Sequence, residues 1–113
     1  MFTEYYSPVK SLPNIPGLTP RTSSELARFC AQNRVRTLRI FGSYVRGDLR
    51  PESDIDVLIE FQAGVDPDLF ELGGMQQDLT DILGREADLK TPEMFSAANL
   101  QRVLASSVIG YAA

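Results

Sequence analysis

At 113 residues, 43% hydrophobic and 23% charged, the chain has the size of one compact domain with enough buried surface for a real core. One cysteine, Cys30, and no histidine exclude an internal disulfide, an ordinary zinc site and every nucleophile that relies on a histidine base. A net charge of −4 argues against a nucleic-acid groove as the main partner surface, and no apolar run approaches the roughly 20 residues of a membrane-spanning helix. A soluble, cytoplasmic protein is expected, with any metal held by oxygen.

Residues 1–20 contain Pro8, Pro13, Pro16 and Pro20 with little periodicity and read as an extended arm, leaving 21–113 as the folded domain. A helix is expected from an N-cap at Thr22 or Ser23, with Glu25 placed for a capping box, Leu26, Phe29 and Cys30 inward and Asn33 at its end. The alternation of Val35, Thr37, Arg39 and Phe41 against Arg36, Leu38 and Ile40 predicts a strand. It runs straight into Gly42-Ser43 and a short helix to Val45 or Arg46, stopped by Gly47. A loop over 48–52 leads to a second strand, Asp54 to Phe61. Asp66-Pro67-Asp68 opens a longer helix with an apolar stripe of Leu69, Leu72, Met75, Leu79, Ile82 and Leu83. Gly73-Gly74 weakens its middle enough for a break there, and Gly84 ends it. Arg85 to Lys90 predicts a third strand, and Pro92 a last helix to about Ser107 with Phe95, Leu100, Val103 and Leu104 inward. The order α-β-α-β-α-β-α predicts an α/β (α+β) fold, helices packed on a small mixed sheet.

Charge is unevenly spread. Residues 21–50 carry seven arginines against Glu25 and Asp48, a local +5, whereas residues 51–113 carry three basic and twelve acidic side chains, a local −9. Within the acidic part, Asp54 and Asp56 on one strand project from the same face about 7 Å apart, while Ile55, Val57 and Ile59 point to the core. Two like charges so aligned favour a neutralising cation, and a hard divalent ion such as Mg²⁺ suits oxygen ligands and phosphates. Ten residues upstream, Gly42-Ser43 at a strand end opens a helix, a place where backbone N–H groups and the positive dipole end attract phosphate. Ser43 adds a hydroxyl, and Arg46, one turn on, a guanidinium. A third carboxylate that such a site usually wants is supplied by Glu86 or Asp88; spacing leaves that choice open.

The pattern G-S-x-x-R-G-x5-S-D-x-D with a later D-L, and the stretch from Leu83 to Pro92, resembles the minimal nucleotidyltransferase family of the polymerase-β superfamily, from about residue 26 to the chain end. The resemblance implies a polymerase-β-type fold with a mixed sheet of three to four strands. It also implies that Gly42 and Ser43 hold a triphosphate, and that Asp54 and Asp56 ligate two Mg²⁺ ions with Asp88, rather than Glu86, as the third catalytic carboxylate. Arg46 and Ser53 match positions that support the phosphates and the metal loop; Tyr44 and Val45 fill variable ones. The implied activity is transfer of AMP from ATP, with the acceptor expected on a partner because the chain is short. Relatives of this kind act as antitoxins of a HEPN-domain ribonuclease toxin, adenylylating one of its tyrosines. Two other readings are a non-catalytic antitoxin that neutralises its partner by contact, and a nucleotidyltransferase acting on small molecules such as aminoglycosides.

Overall fold

The computed structural model describes residues 19–46 and 54–113. Helix α1 (Pro20–Gln32) leads into β1 (Val35–Phe41) and the four-residue α2 (Ser43–Arg46). Then come β2 (Ile55–Phe61), α3 (Leu69–Leu83), β3 (Ala87–Lys90), a 3-10 turn (Pro92–Met94), α4 (Ala97–Ser106) and β4 (Val108–Ala112). The strands form one mixed sheet in the order β3-β2-β1-β4, antiparallel except for the parallel β2–β3 pair joined through α3. This is the expected helix-flanked mixed sheet. No helix among the described residues is long and apolar enough to cross a membrane.

Helix α1 starts earlier than expected. Thr19, not Thr22 or Ser23, is the cap: its Oγ1 accepts the Thr22 N–H at 3.1 Å, and Pro20 takes the first helical position, where its fixed φ and missing donor cost nothing. Glu25 pairs instead with Arg21 at 3.5 Å. The remainder of the proposed arm, residues 1–18, lies outside the described residues. Asn33 does end α1, its Nδ2 donating to the Phe29 carbonyl at 2.9 Å, and Arg34 at φ 54° turns the chain into β1.

Strand β1 departs from simple alternation. A register shift between Val35 and Thr37 puts Val35 on the same buried face as Leu38 and Ile40, all fully buried. That face, continued by Ile55, Val57 and Ile59 of β2, packs on Leu26 and Phe29 of α1 and Leu79 of α3.

Helix α3 is fixed at both ends by the expected residues. Asp68 and Glu71 form a reciprocal capping box with both bonds at 2.8 Å, and Gly84 closes the helix at φ 71°. The helix runs unbroken through Gly73-Gly74, because a penalty of about 1 kcal/mol per glycine is outweighed by burying Met75 and Leu79 on the following turns. Leu69 is a correction: it is 81% exposed and does not join the stripe. Strand β3 is a sheet edge, and α3 covers its free donors. Gln76 Oε1 accepts the Leu89 N–H at 2.9 Å and Thr80 Oγ1 the Ala87 N–H at 3.0 Å.

The last third differs most from expectation. Pro92 starts only one 3-10 turn; Phe95 is extended at φ −116°, ψ 150°, and Ser96 caps α4 afresh, its Oγ accepting the Asn99 N–H at 3.2 Å. After this break the Phe95 ring stands edge-on to Phe41, centroids 6.1 Å apart. After α4 comes β4, a fourth strand that the family resemblance allows but the residue pattern did not place, and it pairs with the free edge of β1.

Cys30 is fully buried, and that burial pushes its thiol up from 9.0 to about 12. An unfolded thiol ionises near 9.0 while the folded one stays protonated, so the stability this group contributes is complete below pH 9 and is lost progressively towards pH 12. At pH 8 a disulfide reagent such as DTNB should label the folded protein roughly a hundredfold more slowly than the urea-unfolded chain. Equal rates would place Cys30 outside the core.

Candidate active site

At the end of β1 the chain passes from strand to helix in a single residue. Gly42 does this at φ 79°, a region that disfavours any L side chain, and its carbonyl accepts the N–H groups of Val45 and Arg46, each at 3.1 Å, which starts α2. The missing side chain matters a second time. A Cβ on residue 42 would overlap Asp56 Oδ2 and stand 3.1 Å from Asp56 Cγ, so the carboxylate of Asp56 lies directly on the backbone of the turn.

Asp56 is delivered there by β2. Its antiparallel partner is Phe41 and its parallel partner is Asp88, which sets the two carboxylates side by side on adjacent strands. Their chain neighbours Ile55, Val57, Ala87 and Leu89 are buried on the opposite face. Asp54 lies one residue before β2 and is exposed. The Asp56 carboxyl is held above its ordinary 3.8, first because partial burial disfavours the anion and then because Asp88 and Asp54 repel it; Lys90 and Arg46 pull the other way.

Gly42, Ser43, Arg46, Asp54, Asp56 and Asp88 thus gather around one end of the β1–β2–β3 sheet. Ser43 opens α2 and Arg46 is exposed at its end. Ser53 lies outside the described residues. Glu86 is exposed and precedes β3, contributing its carbonyl to the Ile55 N–H at 2.8 Å; of the two carboxylates left open by spacing, Asp88 is the one in register with Asp56. Sequence reasoning passed over Lys90, whose Nζ is 2.7 Å from Asp88 Oδ2. The signal was present: two residues beyond Asp88 on a strand is the same face. A concavity of about 530 Å³, lined by Phe61, Leu72, Thr91 and Met94 among others, opens at the far end of β2 and contains none of these residues.

Among the described residues no three acidic groups converge tightly enough to form a finished cation site as they stand. The donor set nevertheless fits a hard divalent ion. All donors are carboxylate oxygens, and Asp56 is a half-buried acid whose ionised form is opposed by its two neighbours, so a cation there would relieve the repulsion.

A family model for the nucleotidyltransferase domain matches residues 23–109, a span containing every residue named above. A Methanocaldococcus jannaschii relative bearing the provisional name protein adenylyltransferase is 35% identical over 74 residues, 66% of this chain and 77% of its own. Further relatives are matched over little more than half their own length. A crystal structure of a toxin–antitoxin with AMP-PNP shares the fold with a TM-score of 0.66 at 22% identity, covering 80% of this chain and 73% of the other. So does a complex of tri-AMPylated Shewanella oneidensis HEPN toxin with MNT antitoxin, with a TM-score of 0.60 at 19% identity, covering 81% and 71%.

Proposed function

We propose that this chain, which belongs to the nucleotidyltransferase domain family, transfers AMP from ATP to a hydroxyl of a partner protein, releasing pyrophosphate. The observation that carries this reading is the seat of Asp56 on the side-chain-free backbone of Gly42 with Asp88 in register beside it. The strand-to-helix turn assigned to phosphate and the carboxylate row assigned to cations then meet at one place. In this reading Gly42 admits the triphosphate to the backbone, Ser43 adds a hydroxyl donor and Arg46 a guanidinium. Ser53 is assigned the same support by its sequence position alone. Asp54, Asp56 and Asp88 would hold two Mg²⁺ ions, which when bound would supply charge stabilisation at the α-phosphate. Asp88 orients the acceptor hydroxyl and takes its proton as the new oxygen–phosphorus bond forms and the bond to pyrophosphate breaks.

The proposed acceptor is a tyrosine of a HEPN-domain toxin, and this chain its antitoxin. Support comes from the family, from the relative's adenylyltransferase name and from the shared fold of an MNT antitoxin seen with an AMPylated HEPN toxin. Incubating the protein with α-labelled ATP, Mg²⁺ and a HEPN toxin should place label on the toxin in an acid-stable, tyrosine-linked form. A stable complex that acquires no label would leave only a contact antitoxin.

A further inference from the structure

Lys90 lies outside the motif, yet its ammonium touches the carboxylate row, 2.7 Å from Asp88 Oδ2. Strand geometry explains the reach. Lys90 stands two residues beyond Asp88 on the same face of β3 and in register with Leu58 of β2, which is fully buried, so the lysine stem runs beside an apolar position while its head turns back to the carboxylate. The paired side chains are 34% and 39% exposed, which leaves the contact less screened than a fully solvated pair.

We propose that Lys90 is the resident counter-cation of this row, steadying Asp88 in the metal-free protein and competing with the divalent ion for it. The inference rests on Asp88 being a metal ligand. Lys90 engages one oxygen of Asp88, so a divalent ion entering the row either shares that carboxylate with the ammonium or displaces it, and the positive charge of Lys90 raises the ion concentration at which the site fills.

The test needs no nucleotide and no acceptor. Metal-free wild type, Lys90→Met and Lys90→Gln are titrated with Mn²⁺ alone, free ion being followed by electron paramagnetic resonance, and all three are melted with and without Mn²⁺. Both charge-free variants should bind Mn²⁺ on the order of tenfold tighter, melt lower without metal, and recover that loss as Mn²⁺ is added. Lys90→Arg should restore wild-type values. Unchanged or weaker Mn²⁺ binding in either folded charge-free variant overturns the proposal, and so does a wild type that binds no Mn²⁺. Absence of label transfer from ATP, by contrast, would count against the proposed function and leave the titration result standing.

Discussion

Asp56→Asn should lower AMP transfer by roughly 10³-fold or more, while making the metal-free protein more stable at neutral pH. The activity loss follows from the site. Asparagine keeps the shape but removes the charge that holds a divalent ion, and several kcal/mol of stabilisation at the reacting phosphate correspond to about three decades in rate. The stability gain follows from the same carboxylate. Its pKa is raised in the folded protein by burial and by Asp88 and Asp54, so ionisation of Asp56 works against folding. The contribution of Asp56 is therefore complete below the ordinary value of 3.8 and is lost as pH rises through its folded value. Asparagine does not titrate, so the two proteins should melt together in acid, and the variant should melt higher than wild type at pH 7. Parallel melts from pH 3 to 8, alongside the label-transfer assay, measure both effects. A variant that melts below wild type at pH 7 would show that Asp56 supports the fold rather than burdens it.

Local rules account for the parts of this protein that were legible in its sequence. Strand β1, the short α2 and the two ends of α3 follow from local rules: β-branched residues, a glycine at a strand end, a capping box and a left-handed glycine. At the candidate site, Gly42 and Asp56 occupy positions that strand period and turn chemistry point to, whereas spacing left Asp88 and Glu86 level and only the family resemblance singled out Asp88. What local rules missed is decided by distant partners. Val35 joins the core face only because a bulge opposite β2 shifts the register. Phe95 leaves the helix that Pro92 opens, and its ring lies against Phe41. Strand β4 carries the strand formers Val108, Ile109 and Tyr111 interrupted by Gly110, and it fills the open edge of β1, which no local rule shows; the Ala113 N–H reaches the Arg36 carbonyl at 2.8 Å. Lys90 belongs to both groups. Its face could be read from the alternation, but its engagement with Asp88 depends on which carboxylates the neighbouring strand sets beside it.

Gly42→Ala carries the largest expected effect on fold and activity together. Alanine at φ 79° costs about 1 kcal/mol or more in backbone strain, and its Cβ overlaps Asp56 Oδ2, an overpacking of the kind that costs about 1–3 kcal/mol. A total of about 2–4 kcal/mol in a domain of this size should lower the melting temperature by roughly 10 °C or more. The clash can be relieved in one way without unfolding the turn, by rotating the Asp56 carboxylate off the backbone, and that separates it from the phosphate side of the proposed site. Gly42→Ala should then show weaker Mn²⁺ binding and AMP transfer reduced by at least about a hundredfold even well below its melting temperature. The double variant Gly42→Ala with Asp56→Ala discriminates the two contributions. Removing the Asp56 carboxylate removes the overlap, so the melting temperature should recover all but the strain component, while transfer falls further than in Gly42→Ala alone. If the double variant is no more stable than Gly42→Ala alone, the contact between the turn and Asp56 is not what makes glycine necessary at this position.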